Sequence, residues 1–290
     1  MKTRITASEV DSPSAGLRRI VAGMLMLASA ACGSSIRAAI LHVPADYATI
    51  QAAVDAAAPA GDEILIASGV YAQQVVINGK KLTLTGSPGT VIQAWTGMTY
   101  AVNGPAYNLV LIATDADVVL RNIEFDGKRL AQSMSNRNAL LEAVLFFGGG
   151  GRVENCVFRG FRGTSRLATP TNPPLGGRGY GVVAFNPVTA GSGVKPVQML
   201  NNTFSDNAIS LAVAGDYAHA NYDPTLLRLT FTMANNTVTG VGATALDHQF
   251  GLVILGGATG VIKGNRIADH YNANPTGNWS CGIRAWDDQS

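Results

Sequence analysis

Asp216, His219 and Asp223 lie close together in residues 216–227, a polar insertion that also holds Tyr217 and Tyr222. Two carboxylates can hydrolyse a glycosidic bond when they face each other across about 5–9.5 Å. Elimination at a uronate needs instead a base and a cation to neutralise the sugar's carboxylate, and Arg178, Arg284 and His219 have that chemistry. These five residues are the candidate catalytic set. Asp115 with Asp117, and Asp287 with Asp288, are further carboxylates close in sequence. Taken singly, each of these residues also suits a solvated turn. Asp247-His248 and His270-Tyr271 flank predicted strands and could meet Trp279 at one edge. No Cys/His spacing fits a metal site. The run 148–151 lacks the Lys-Ser/Thr ending of a phosphate loop.

The elements that would position such residues are repeats. Asn122 leads to Phe125, Asn155 to Phe158, Asn201 to Phe204, Asn235 to Val238 and Gly264 to Ile267, at spacings of 33, 46, 34 and 29 residues. Each unit is a short alternating run, a polar corner, another short run and a Gly-rich or polar connection. Periods of this size mark a solenoid rather than a closed globule. The bursts are too close for a helical crossover and lack the Asn-Gly or Asp-Gly pair of a tight hairpin. Three short strands per coil, stacked in parallel, satisfy both constraints. Asn202, Asn236 and Asn265 share parity with the inward Phe204, Val238 and Ile267. They are expected to form an internal ladder, with Ile123 and Cys156 filling the same column in earlier rungs.

The N-terminus has a different character. Lys2, Arg4, Arg18 and Arg19 precede an apolar run, 20–31, that ends in small residues. That is the layout of a bacterial secretory signal over 1–31, followed by a linker over 32–40 and a domain over 41–290. Cleavage after Ala30 or Ala31 is expected. The second choice leaves Cys32 first, a junction that resembles a bacterial lipoprotein's except that Ser29 stands where a Leu-like residue is usual. Cys32 is therefore a candidate lipidation site, giving a single lipid anchor. Otherwise the protein is freely secreted, and in both cases it is extracellular or at the cell surface. A net charge of +2 gives no electrostatic basis for binding nucleic acid. Cys156 and Cys281 are read as unrelated thiols, and Asn-Xaa-Ser/Thr triplets at Asn201 and Asn235 as corner residues. The last predicted strand is followed directly by Ser290, so further rungs are expected beyond this sequence.

The domain opens with Leu41-His42-Val43-Pro44, then Thr49 as a helix N-cap. Ile50, Ala53, Val54 and Ala57 lie on one face, and Pro59 with Gly61 stops the helix. This helix is expected to cover the first core layer of the stack. With Gly-Asp-Glu-Ile-Leu-Ile and Gly69-Val70-Tyr71 after it, the segment resembles the opening of pectinesterases and other β-helix proteins. Together with the rungs, it makes residues 41–290 resemble the right-handed parallel β-helix of the pectin-lyase-like superfamily. The implied fold is all-β with an N-terminal capping helix. The pectinesterase motifs Gly-Asp-Phe-Ile-Phe-Gly and Leu-Gly-Arg-Pro-Trp are absent, so that activity is not expected.

The resemblance also places the first strand of each coil at 108–114, 143–149, 180–187, 208–215, 251–257 and 282–288, along the superfamily's usual groove. Strict alternation then puts Leu109, Val144, Val182, Ile209, Leu252 and Ile283 inward. It puts Val110, Leu145, Val183, Ser210, Val253 and Arg284 outward, followed by Ile112, Phe147, Phe185, Ala212, Leu255 and Trp286. These columns are apolar, unlike the carboxylate row of polygalacturonases. They call for loop cover or for an aromatic platform, with Phe147, Phe185 and Trp286 as candidate sugar-binding residues. What the resemblance implies is a monomer that binds polysaccharide or cell-surface glycan, and cleaves it as a lyase or glycosidase, with Ca a cofactor by resemblance alone. An adhesin-like solenoid without catalysis, or a periplasmic accessory protein, is the alternative.

Overall fold

The computed structural model describes residues 38–100, 106–131, 140–163, 179–186, 195–214, 229–243, 248–271 and 279–286. All belong to the compact unit Ala38–Ser290. The expected signal segment, Cys32, and the loop residues Arg178, Asp216, His219 and Asp223 lie outside the described residues.

The chain winds repeatedly through three parallel sheets, in the order A, B, C. Sheet A has eight strands: Ile40–Val43, Ala60–Ile66, Lys81–Gly86, Asp117–Arg121, Gly150–Glu154, Lys195–Leu200, Leu229–Ala234 and Ala258–Lys263. Sheet B has seven short ones: Gly69–Tyr71, Thr90–Gln93, Glu124–Asp126, Val157–Arg159, Thr203–Ser205, Thr237–Thr239 and Arg266–Ala268. Sheet C has seven: Val75–Ile77, Ala106–Ile112, Leu140–Phe147, Gly179–Phe185, Ile209–Ala214, His248–Leu255 and Trp279–Trp286. The fold is an all-β parallel β-helix. Its interior is a single column of apolar layers. Phe125, Phe158 and Phe204 stack at centroid distances of 4.9 and 4.7 Å, with planes 6° and 8° from parallel.

The turn from sheet A to sheet B explains the repeated Asn. Asn122, Asn155, Asn201 and Asn235 all take a left-handed backbone (φ 57°, 53°, 56° and 56°), and Gly264 does the same at 63°. Asn tolerates that region better than other side chains, and Gly pays no steric cost there. The next residue points inward. Asn236 Oδ1 accepts the Asn202 N–H at 3.0 Å, and its Nδ2 donates to the Met199 carbonyl at 2.9 Å. Asn265 repeats this one rung on, accepting from Asn236 N at 2.8 Å and donating to Met233 O at 2.7 Å. Asn202 accepts from Cys156 N at 2.9 Å and donates to Val153 O at 2.9 Å. A second buried amide, Asn207, does the same work at the turn from B to C, joining Phe161 N and Phe158 O, both at 3.0 Å.

The helix Ile50–Ala56 closes the first rung. The Thr49 hydroxyl accepts the Ala52 N–H at 3.1 Å, and Ile50, Ala53 and Val54 are buried. The helix packs on the opening strands of sheets A and C. Gln51 both accepts from and donates to the backbone of Val76, at 2.7 and 3.1 Å, so its amide serves the strand edge as a neighbouring strand would. At the other end, the Lys80 ammonium donates to the carbonyls of Val54, Asp55 and Ala57 at 2.7, 2.9 and 2.9 Å. A cation there complements the helix's negative end.

Removing a ladder amide strands a buried donor and a buried carbonyl, at about 1–3 kcal/mol for each orphaned group. Asn236→Ala is therefore expected to cost about 3 kcal/mol in urea unfolding. An exposed control such as Thr237→Ala should stay within about 0.5 kcal/mol. Equal midpoints for the two variants would count against the ladder as a source of stability.

Candidate functional site: the outer face of sheet C

Sheet C departs from strict alternation at one position in each rung. Leu109 and Val110 are consecutive and both belong to the main core, as do Ala143 and Val144. The first residue of each pair sits at the turn from sheet B, and the pairing register skips it in every rung. The inward side chains of sheet B occupy the space it faces. A Cβ on Gly181 would come within 2.8 Å of the Phe204 ring, and one on Gly251 within 2.9 Å of Ile267 Cγ2. Small residues at Ala143, Gly181, Ser210, Gly251 and Gly282 follow from that crowding.

The extra inward residue corrects the columns expected from alternation. Val110 and Ile112, expected outward, are core residues. Ser210, also expected outward, occupies the crowded turn position and is buried. Ile209, expected inward, lies on the outer face, in a separate apolar cluster with Ala212, Phe250 and Val253. The register gives the outer columns as Asn108, Glu142, Tyr180, Ile209, Phe250 and Cys281; then Leu111, Leu145, Val183, Ala212, Val253 and Arg284; then Phe147, Phe185, Ala214, Leu255 and Trp286. Of the first two columns, Leu111, Leu145, Ile209, Ala212, Phe250 and Val253 are buried.

Phe147 and Phe185 are half-buried and adjacent on neighbouring strands, with centroids 5.7 Å apart and planes tilted by 42°. The backbone of Trp286 continues their column beyond Leu255. Arg284 lies over the Phe250 ring at 5.3 Å, a cation–π contact. Cys281 stands beside Phe250 in register. Burial raises its thiol pKa, and the Arg284 charge partly opposes this. Cys156 is also unpaired, deep in the core, with its pKa pushed by burial up to about 12. Neither thiol is an activated nucleophile.

The polar group that alternation did not reveal is Glu142. The sequence reading left it at the end of a long connection, yet it stands inside the strand Leu140–Phe147, whose other residues are all apolar. A lone carboxyl in such a run is the signal that could have found it. Glu142 is 3% exposed and Asn108, beside it in register, 1%. Asn108 Nδ2 donates to Glu142 Oε2 at 2.5 Å, while Asn108 Oδ1 has no hydrogen-bond partner. Burial pushes the Glu142 pKa up to about 8, opposed in part by the Asn108 bond. One rung earlier Gln74 donates to the Asn108 carbonyl at 3.0 Å and to Thr99 O at 2.8 Å, extending the polar strip.

The remaining charged groups are paired elsewhere. Arg159 bonds Glu124 at 2.6 Å and Asp126 at 2.9 Å beside sheet B, and Arg121 bonds Glu63 beside sheet A. Asp206 holds Arg129 and Arg162. Asp115 lies 3.7 Å from the Lys195 ammonium, and Asp117 opens a strand of sheet A. Among the described residues, then, neither aspartate belongs to sheet C. His270 is half-buried against Gly251, with neither ring nitrogen hydrogen-bonded, and burial lowers its pKa. The backbones of His248 and Trp279 pair in register, while Asp247 lies outside the described residues. Among the described residues no group of three or more His, Cys, Asp or Glu could hold a metal ion, so the Ca implied by resemblance finds no ligand set there. Nor is any described helix long and apolar enough to cross a membrane.

No protein-family model and no curated protein matches the sequence. Among solved structures the chain is similar to Geobacillus virus E2 ORF18, at 11% identity and TM-score 0.37, with 87% of this chain and 62% of that one covered. It is also similar to Escherichia coli ybhc, at 14% identity and TM-score 0.34, with 87% and 84% covered. The chain thus spans less than two thirds of the first of these. The β-helix assignment rests on the three parallel sheets themselves.

A carboxyl whose pKa is raised on folding favours the folded state most below its unfolded value. That contribution is lost as pH rises from the model value of 4.5 through about 8. Glu142→Gln should remove this part of the pH dependence and stabilise the protein at pH 8.5 by roughly 2–4 kcal/mol. Urea midpoints at pH 5 and 8.5 for both proteins measure it, and parallel pH profiles would refute the assignment.

Proposed function

We propose that this is an exported, pectin-lyase-like β-helix protein that binds a polysaccharide along the outer face of sheet C. The observation that carries the reading is the Phe147–Phe185 pair, half-exposed and in register on adjacent strands at the end of an otherwise apolar face. Rings so placed stack on the apolar faces of sugars, which explains why aromatic residues stand there rather than aliphatic ones. Glu142 and Asn108 add hydrogen-bonding groups on the same face, the usual way a mostly apolar site fixes orientation. Export, with or without a lipid on Cys32, belongs to the same reading and places the protein where such polymers occur.

Cleavage of the bound polymer, by a lyase or glycosidase mechanism, is the stronger form of this proposal. It draws on Arg284 at the last rung and on Arg178, Asp216, His219 and Asp223. New reducing ends, or the absorbance of unsaturated uronate, lost in Arg284→Ala or Asp216→Ala would support it. The second reading, a non-catalytic solenoid docking a protein partner, is favoured by the apolar outer cluster of Ile209, Ala212, Phe250 and Val253.

Binding of the purified protein to a panel of neutral and acidic oligosaccharides separates the readings. Phe147→Ala and Phe185→Ala should each weaken binding about 5- to 10-fold, consistent with about 1 kcal/mol for a stacked ring. Undiminished affinity in both variants would exclude this face.

A further inference from the structure

We propose that the outer face of sheet C selects uncharged sugars and refuses uronates, with Asn108 and Glu142 as the pair that meets a sugar hydroxyl. This rests on the glycan reading above and names its substrate class.

The charge inventory of the sheet is the first observation. In the seven strands of sheet C the only Asp, Glu, Lys or Arg residues are Glu142 and Arg284. Their strands lie four places apart in the sheet. At the usual spacing of parallel strands that is roughly 19 Å, too far for Arg284 to offset charge beside Glu142. Arg284 is also engaged with the Phe250 ring. Cations on the other sheets do not face this surface, and Arg121 and Arg159 are bound to carboxylates. A uronate would therefore bring a carboxylate into an apolar face that already holds one carboxyl, with no described cation beside it. An uncompensated charge in such surroundings costs several kcal/mol.

The second observation is the unmet acceptor. Asn108 is buried, and its Oδ1 faces no donor although its Nδ2 is bonded to Glu142. Buried polar atoms are nearly always paired, so this one points to a donor supplied from outside the chain. A sugar hydroxyl fits, directly or through one bridging water, because it can donate to Asn108 Oδ1 and accept in return. Glu142 has a proton to give below about pH 8. A uronate carboxylate, which only accepts, cannot satisfy that oxygen. From Glu142 to Phe147 the strand runs roughly 16 Å, so an oligosaccharide, not one ring, would touch both the polar pair and the aromatic pair.

The test is calorimetric titration of the full chain at pH 6.5 with oligosaccharides of xylan, mannan and cellulose, and with oligogalacturonate and oligomannuronate. The expected result is binding of at least one neutral oligosaccharide, with both uronates at least tenfold weaker. Asn108→Ala, checked for fold by circular dichroism, should lose at least fivefold for the neutral ligand. Uronates bound as tightly as neutral sugars would overturn the selectivity and leave the glycan reading standing. No binding to any sugar by the folded wild-type chain would overturn both. Since the main comparison uses the wild type, a variant that fails to fold does not protect the proposal.

Discussion

The architecture depends on one requirement: at every corner, the backbone groups that a bend removes from the sheet ladder must find partners in the next rung. Buried peptide groups without partners are too costly to accumulate turn after turn. The amide side chain of Asn meets the need because it carries a donor and an acceptor at one reach, and Asn202, Asn236 and Asn265 each use both. Cys156 shows what happens where the column lacks an amide. Its Sγ donates toward the Leu120 carbonyl at 3.7 Å, the position that Nδ2 of Asn202 serves one rung on. A thiol is a weaker donor, and the place is still filled.

That corner determines more than the corner. By fixing where sheet B begins, it sets the inward column that carries Phe125, Phe158 and Phe204, and three stacked rings leave no room opposite. The residue that faces them at the start of each sheet C strand is therefore small, and it stays inward alongside the residue after it. Everything beyond that point on sheet C is shifted by one. The outer face, with its polar pair and its aromatic pair, thus inherits its composition from packing on the far side of the sheet.

This is also why the fold was legible and the face only partly so. Period and corner are local signals: an Asn, then an apolar residue three positions on, repeated, is visible without coordinates, and so is the Thr49-capped helix. The frame of sheet C is not local. Two consecutive inward residues look like an error of alternation, and only the Phe204 ring against Gly181 explains them. Reading through the break assigned Val110, Ile112 and Ser210 outward and Ile209 inward. It nevertheless placed Leu145, Val183, Val253, Arg284, Phe147 and Phe185 in outer columns that the register also contains. Glu142 escaped because the strand boundary was drawn after it, and Asn207 because its turn does not recur as an Asn. The insertions that hold Asp216, His219 and Asp223 follow no period, so their placement had no repeat to lean on.

The choice between a sugar and a protein as occupant of the face turns on the same accounting of partners. An apolar protein surface laid over Ile209, Phe250 and Val253 would bury those side chains well, and nothing in that cluster argues against it. It would also seal Asn108 Oδ1 without a donor, at the cost that any buried unpaired acceptor carries. Where a face is selected only for apolar docking, an Asn–Glu pair is a poor choice beside two aliphatic residues of similar size. A ligand rich in hydroxyls turns that penalty into a contact, and its ring faces still use Phe147 and Phe185. The two pairs make sense together only if one ligand presents both kinds of surface, as a sugar chain does.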